Sequence, residues 1–388
     1  MTSPDPRVTP VPMPKWGLSM RSGKITGWLV AEGDTVSAGD EIADIDTDKI
    51  TGTLEASSGG TVRRLVARAG DDVPVGAAIA LLATDDVPDP VLDDLAGQAR
   101  AVIDAGVPSS DADGGPDVSA VEVSGRKISY AGAGPADDED GDLVLMVHGY
   151  GGDRNSWLFL QAPLSERYRV YALDLPGHGT SAKDVGDGSV DVLASSVAAV
   201  LEAVGADRAH LVGHSLGGAV ALAVADRFPG KTASVTLFAP AGFGSGINAG
   251  YIRGFAAART RRELKPVAAQ LFADESLVTR QLLDDLLAYK RLDGVRQALN
   301  ALSATLLDGE RQRLDCSGLL RSASERVPVT VVWGESDQVI PPTAASAAAE
   351  AAPRAVIRVI GGAGHMVHME RPAESQAAIE ETIARASP

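Results

Sequence analysis

The chain has 388 residues, 45% apolar and 22% charged, with a formal net charge of −17. That length exceeds what one compact core usually holds, so at least two domains are expected. The acidic balance excludes nucleic acid as a main partner, and a single cysteine, Cys316, excludes an internal disulfide and fits a reducing, cytoplasmic setting. Residues 1–14 are proline-rich and polar and lack the apolar run of a signal peptide. The most apolar run, "AVALAVA" at 219–225, is far too short to span a bilayer, so no membrane association is expected.

The N-terminal stretch repeats itself. "EGDTVSAGDEIA" (32–43) aligns with "AGDDVPVGAAIA" (69–80) at a constant offset of 37, matching Gly33 to Gly70, Asp34 to Asp71, Gly39 to Gly76 and Ile42 to Ile79. Each copy is a glycine turn followed by a short alternating strand. Roughly six to eight such strands make a flattened barrel or two-sheet sandwich. "EIADIDT" (41–47) ends at Asp48–Lys49 and "ITGTLEA" (50–56) begins, which puts Lys49 at a hairpin tip. "MPKWGLSM" (13–20) and "EGDTVSAGDEIADIDTDKIT" (32–51) resemble a lipoyl domain over residues 11–84. The resemblance implies that Lys49, the lysine of a "TDK" turn, carries lipoate through an amide. Sister biotinyl domains flank their lysine with methionines, whereas the neighbours here are Asp48 and Ile50.

Residues 85–118 come next, with nine aspartates and one arginine, a net −8 of the chain's −17. So concentrated a charge repels itself and buries little, and the segment reads as an acidic flexible linker. Within it "VLDDLAGQARAVIDAG" (91–106) forms at most one short amphipathic helix that nothing obliges to persist.

From residue 119 the pattern changes. "VEVSGRKISYAGAG" reads as an edge hairpin, and then apolar runs alternate with helical stretches: "LVLMV" (143–147), "YRVYAL" (168–173), "AHLVG" (209–213), "SVTLF" (234–238), "VTVVW" (329–333) and "VIRVI" (356–360). Such runs imply a doubly wound, mostly parallel sheet covered on both faces. "GHSLG" (213–217) follows one of them and opens a helix, as a nucleophile elbow does, and "HGYGG" (148–152) follows the first parallel strand. "WGESDQVIP" (333–341) supplies Asp337, and "GGAGHMVHME" (361–370) supplies His365, with His368 a competing candidate three residues on. His148, His178 and His214 read as residues that shape turns or support the others, with one of them in place of His365 as the alternative. No grouping has metal-ligand spacing, so no metal is expected. Residues 239–327 are rich in helical periodicity and read as a helical cap over the pocket.

This half, over residues 120–386, resembles the α/β-hydrolase superfamily, to which "DLPGHGTS" (174–181) adds a further match. The resemblance implies Ser215 as nucleophile, His365 as general base and then acid, and Asp337 as the holder of its tautomer, with the N–H groups of Tyr150 and Leu216 as oxyanion hole. "RTRRELK" (259–265) offers Arg259, Arg261, Arg262 and Lys265 as contacts for the phosphates of coenzyme A, against the plainer reading of a solvated helix face.

A lipoyl domain, a linker and a serine-triad domain in one chain resemble the E2-type dihydrolipoamide acetyltransferase subunits of acetoin dehydrogenase complexes. What the resemblance implies is transfer of an acetyl group from S-acetyldihydrolipoyl-Lys49 to coenzyme A through an acetyl-serine. It also implies a thiamine-dependent E1 and a dihydrolipoamide dehydrogenase (E3) as partners, and it leaves a homo-oligomer open. Two departures stand out. The H-x-x-x-D-G motif of ordinary E2 chains is absent, and residues 91–106 lack the basic, glycine-rich pattern of their subunit-binding domain. The alternatives are a serine esterase or thioesterase with water as acceptor, and a non-catalytic lipoyl carrier.

Overall fold

The structure, a computed structural model, describes residues 7–14, 22–46, 51–56, 58–84, 86–105, 118–134 and 142–386. It divides into two compact units, Met1–Gly115 and Pro116–Pro388.

The first unit contains β1 (Val8–Pro12), β2 (Ser22–Trp28), β3 (Thr35–Val36), β4 (Glu41–Asp46), β5 (Thr51–Glu55), β6 (Gly60–Leu65), β7 (Asp72–Pro74) and β8 (Ala78–Ala83). They form two four-stranded sheets, ordered β1-β8-β6-β3 and β5-β4-β2-β7. The 37-residue offset is structural as well as sequential, since it carries β3 onto β7 and β4 onto β8. The Gly33 N–H donates to the Val62 carbonyl at 2.7 Å, and the Gly70 N–H donates to the Ile25 carbonyl at 2.7 Å. Ile25 and Val62 are themselves 37 apart, so each half closes on the other through the same bond. Ile25, Ile45, Val62, Val73 and Ile79 fill the space between the sheets. β4 and β5 pair antiparallel as far as Asp46 opposite Thr51. Lys49 lies outside the described residues, between these two strands in the chain.

A helix, α1 (Asp89–Ala105), occupies half of the segment expected to be an open linker. Its buried Leu92 and Ile103, with Leu95, Ala96 and Ala99 partly covered, join the core of the β unit at helical spacing. The expected self-repulsion is relieved by cations from outside the segment. Arg63 and Arg64 of β6 lie across from it: Asp89 pairs with both, at 3.1 and 3.0 Å, and Asp93 with Arg64 at 2.8 Å. Arg100 returns the contact by pairing with Asp71. Exposed ion pairs contribute about 0–1 kcal/mol each, whereas burying a Leu or Ile side chain contributes about 1.5–3 kcal/mol. The apolar stripe therefore holds the helix, and the charges set its orientation.

The second unit runs β9 (Val118–Val123), β10 (Arg126–Ala133), β11 (Leu143–Val147), α2 (Leu158–Ser165), β12 (Arg169–Leu173), α3 (Val190–Ala203), β13 (Ala209–His214), α4 (Leu216–Arg227) and β14 (Thr232–Phe238). An insertion comes next, with α5 (Ala249–Ala257), α6 (Arg261–Ala268), α7 (Arg280–Lys290), α8 (Val295–Leu306), β15 (Leu307–Asp308) and β16 (Arg311–Gln312). The chain then returns through α9 (Ser317–Arg326), β17 (Val329–Gly334), α10 (Thr343–Ala351), β18 (Val356–Ile360), α11 (Val367–Glu370) and α12 (Pro372–Ala384).

Eight strands form one sheet in the order β9-β10-β12-β11-β13-β14-β17-β18, antiparallel at β10 and parallel from β12 onward. Every residue of β11, β13 and β17 is buried, as a sheet covered on both faces requires. Leu145, Val147 and Leu211 face one helical layer, and Val144, Met146 and Val212 the other. α9 packs on α4 and α10, so it covers the sheet and is not part of the insertion. Among the described residues, no helix is long and apolar enough to cross a membrane.

Replacing Leu92 by Ala removes the centre of the α1 stripe, at a cost of about 2–5 kcal/mol to docking. In the full chain, amide exchange across 89–105 is expected to accelerate while β2, β4, β6 and β8 stay protected. Unchanged protection of 89–105 would show that the stripe does not hold the helix.

Candidate active site

Ser215 stands between β13 and α4 with φ 52° and ψ −117°, a conformation that costs a non-glycine residue about 1–3 kcal/mol. Its glycine neighbours explain how the turn closes. A Cβ on Gly217 would lie 2.2 Å from the carbonyl oxygen of Val147, and one on Gly213 would lie 2.5 Å from that of Gly217. Only glycine lets α4 start so close to the end of β11. The turn is fixed by backbone bonds: the Ser215 N–H donates to Phe238 at 3.0 Å, and its carbonyl accepts from Ala241 at 3.0 Å. Leu216 is the first residue of α4, so its N–H has no acceptor within the helix.

Asp337 follows β17 and His365 follows β18, at the same end of the sheet. Nδ1 of His365 donates to Asp337 Oδ2 at 2.8 Å, with both side chains buried. The other carboxylate oxygen accepts the N–H groups of Val339 and Ile340 at 2.8 and 2.9 Å. The carboxylate is thus fully engaged, and it fixes which ring nitrogen of His365 carries hydrogen. Nε2 of His365 is left to exchange a proton.

His214, beside Ser215, ties this loop to the elbow. Its Nε2–H donates to the His365 carbonyl at 3.0 Å, and the two rings stand 4.7 Å apart. Burial and the neighbouring rings of His365 and His368 push its pKa well below the ordinary value, so it stays neutral. His368 packs against Trp157 at 4.4 Å and His214 at 4.6 Å, and neither of its nitrogens has a partner among the described residues. Burial pushes its pKa down to about 3. Of the two histidines in "GHMVHME", only His365 meets a carboxylate.

The "HGYGG" segment lies against the nucleophile's turn, for a Cβ on Gly149 would come within 3.0 Å of Ser215 Cβ. "DLPGHGTS" holds that segment in place. Nε2 of His178 accepts the Gly151 N–H at 3.0 Å, and Nε2 of His148 accepts the Leu175 N–H at 3.0 Å. Their Nδ1–H groups donate to Pro176 and Gly149 at 3.1 and 2.7 Å. Each ring accepts at one nitrogen and donates at the other, which only the neutral form does; burial lowers both pKa values accordingly. Asp174, fully buried, accepts from the Arg154 N–H at 2.9 Å and the Thr180 N–H at 2.8 Å, and pairs with the Arg154 guanidinium. This role is not assigned by the motif in which Asp174 stands; an aspartate opening a loop after an apolar strand is the one sequence signal for it. The Tyr150 hydroxyl donates to the Leu299 carbonyl at 3.1 Å, fixing this residue against the insertion.

The structure thus brings Ser215, Asp337 and His365 to one end of the sheet, with Tyr150 and Leu216 beside Ser215. It separates the four cations of "RTRRELK". Arg261 is locked in a two-point ion pair with Asp284 of α7, Arg262 and Lys265 are exposed on α6, and Arg259 lines a recess between α5, α7 and α8.

Residues 142–372 match the family model of the alpha/beta hydrolase fold, and residues 9–82 match the model described as "biotin-requiring enzyme". A meta-cleavage product hydrolase from Pseudomonas fluorescens IP01 superposes with a TM-score of 0.61 at 21% identity, covering 69% of this chain and 98% of its own, a likeness of fold alone. The dihydrolipoyllysine-residue acetyltransferase component of the acetoin cleaving system of Cupriavidus necator is 44% identical over 98% of this chain and 99% of its own length. The component of the same description from Pseudomonas putida is also 44% identical, over 92% and 94%. With both domains and nearly the whole length shared, the chain belongs to the family of dihydrolipoyllysine-residue acetyltransferase components of acetoin cleaving systems, built on a lipoyl/biotinyl-type domain and an α/β-hydrolase fold.

Proposed function

We propose that the chain transfers an acetyl group from S-acetyldihydrolipoyl-Lys49 to coenzyme A through an acetyl ester of Ser215. The observation that carries this reading is a buried His365–Asp337 pair, bonded at 2.8 Å, beside a nucleophile elbow in a chain that also holds a lipoyl-type domain. The lipoyl group on Lys49, when loaded, supplies the acetyl thioester. Attachment there fits the described strands, since β4 and β5 pair up to Asp46 and Thr51 and leave four residues to connect them.

Ser215 Oγ attacks the thioester carbonyl as Nε2 of His365 takes its proton. The N–H groups of Leu216 and Tyr150 receive the developing oxyanion. The carbon–sulfur bond breaks, and His365 delivers the proton to the departing sulfur. His365 then takes the proton of the coenzyme A thiol, whose sulfur attacks the acetyl carbon, and the ester oxygen leaves with that proton as Ser215. One thioester is exchanged for another, so no further reactant is needed. Asp337 holds the ring of His365 through both halves and stabilises its charged form. As a component of an acetoin cleaving system, the chain receives its acetyl group from a thiamine-dependent enzyme, and a dihydrolipoamide dehydrogenase reoxidises the arm. The cytoplasm is the matching compartment.

The direct test supplies S-acetyldihydrolipoamide and coenzyme A to the full-length protein and measures acetyl-CoA against acetate. Acetyl-CoA is expected as the main product; acetate alone would make the protein a thioesterase. Ser215→Ala is expected to lower transfer by about 10⁴-fold or more, and a variant that retained it would remove the acetyl-serine from the mechanism. Lys49→Arg is expected to lose one lipoyl group by intact mass and acceptance of acetyl from the thiamine enzyme. It should keep turnover of free S-acetyldihydrolipoamide, and loss of that turnover would place Lys49 in the chemistry itself.

A further inference from the structure

The insertion carries a recess of about 420 Å³ where the end of α5, the end of α7 and the start of α8 meet. Its charged lining is Arg259, Lys290, Arg291 and Arg296 against one acid, Asp293. That excess of cations is unusual for this chain, since residues 119–388 hold 32 acids and 26 bases. The side chains of Arg259, Arg291 and Arg296 belong to exposed residues and form no direct ion pair among the described residues, with Glu263 and Asp284 acting on Arg259 and Arg291 only at longer range. Arg261, close by on α6, shows the contrast: Asp284 already neutralises it.

The backbone adds to the same field. α8 has twelve residues and begins here on Gly294, which has φ 85° and no side chain to cap the first turn. That first turn holds no acid and does hold Arg296. Helices usually place acids at this end, where they complement the dipole; here the position is left to be complemented from outside. Burial pushes the Lys290 pKa down to about 8, and its ammonium is turned inward, where it donates to the carbonyls of Phe255 and Ala258. It therefore builds the wall of the recess and joins α7 to the end of α5.

The recess also adjoins the oxyanion segment. Leu299 lines it, and the Leu299 carbonyl accepts the Tyr150 hydroxyl at 3.1 Å. The Tyr150 ring packs edge-on against Phe255, whose carbonyl holds Lys290. The Tyr150 side chain thus reaches from the loop beside Ser215 to a residue that lines the recess.

We propose that this recess binds the phosphate-bearing nucleotide end of the thiol acceptor, with Arg259, Arg291 and Arg296 pairing to its phosphates at the start of α8. This rests on the proposed transfer to coenzyme A and specifies how the acceptor is held. Phosphates bind where guanidinium forks and helix N–H groups converge, and the long thiol arm of coenzyme A separates its phosphates from its reacting sulfur.

The test uses the full-length lipoylated protein, S-acetyldihydrolipoamide as donor, and two acceptors. These are coenzyme A and pantetheine, which keeps the thiol arm but lacks the phosphates and the nucleoside. The natural chain is expected to show a KM for coenzyme A at least about tenfold below that for pantetheine. That KM should rise with added salt. The triple variant Arg259→Ala/Arg291→Ala/Arg296→Ala is expected to bring the ratio of the two KM values towards one and to flatten the salt dependence. Arg296→Glu alone should act in the same direction, which keeps the test open should the triple variant fold poorly. Transfer to both thiols with equal KM in the natural chain, or an unchanged ratio in the variants, overturns the recess and leaves the transferase reading standing. Acetate as sole product with either thiol overturns the transferase reading, and the recess assignment falls with it.

Discussion

The approach of Gly217 to the end of β11 is the constraint on which the catalytic unit depends. With no Cβ at 217, the first turn of α4 sits against the Val147 and His148 carbonyls, and the Leu216 N–H comes to the end of the strand from which "HGYGG" departs. The strain this puts on Ser215 is about 1–3 kcal/mol. Burial of α4 offsets it, because every residue from Leu216 to Ala225 is enclosed between the sheet, α3 and α9. A helix so enclosed cannot slide to relieve its first turn. The packing of α4 therefore fixes the direction of the Ser215 side chain.

Around that point the protein places five of its six histidines, and burial keeps four of them, His148, His178, His214 and His368, neutral. His148 and His178 are neutral because each accepts a backbone N–H at Nε2. His214 is neutral by burial and faces a carbonyl with its one hydrogen, and His368 is buried in an aromatic stack. His365 differs by meeting Asp337, whose carboxylate takes the hydrogen on Nδ1 and leaves Nε2 as the nitrogen able to exchange a proton. The neighbouring rings set positions, and in the proposed mechanism the carboxylate selects His365 as the base.

Much of this is legible in the sequence, for identifiable reasons. Motifs that rest on steric necessity carry over intact: a glycine that must admit a carbonyl at 2.2 Å leaves the same trace in any chain, and so does a strand buried on both faces. The 37-residue repeat is legible because each glycine turn bonds to the opposite half, so both copies meet the same geometric demand. Features resting on side chains distant in sequence are not legible. The ion pairs that relieve the charge of α1 and orient it come from Arg63 and Arg64, which composition within 85–118 does not count. The division of "RTRRELK" depends on Asp284, 23 residues from Arg261, which no local pattern links to it. Asp174 is visible as a letter, but its role needs the Arg154 and Thr180 N–H groups brought to it by the fold.

The docked helix changes what the N-terminal unit is able to do. A stretch of ~34 free residues spans roughly 30–35 Å on average, and composition alone leads to a reach of that kind. With Asp89–Ala105 folded onto the β unit, those residues belong to the body that is carried and add nothing to the tether. Delivery of the acetyl group then relies on a shorter connection and on the lipoyl arm itself. In the proposed mechanism, an acyl-serine formed from so tethered a donor is open to any nucleophile that enters, and a serine triad treats water and thiol alike. Selection between them has to come from the acceptor's own binding energy, gathered away from the reacting sulfur and used to place it. On the proposed reading, a cap that binds the acceptor's far end is joined through Tyr150 to the loop beside Ser215, which links occupancy of one to the geometry of the other. In a fold shared with hydrolases, that coupling is where transfer would part from hydrolysis.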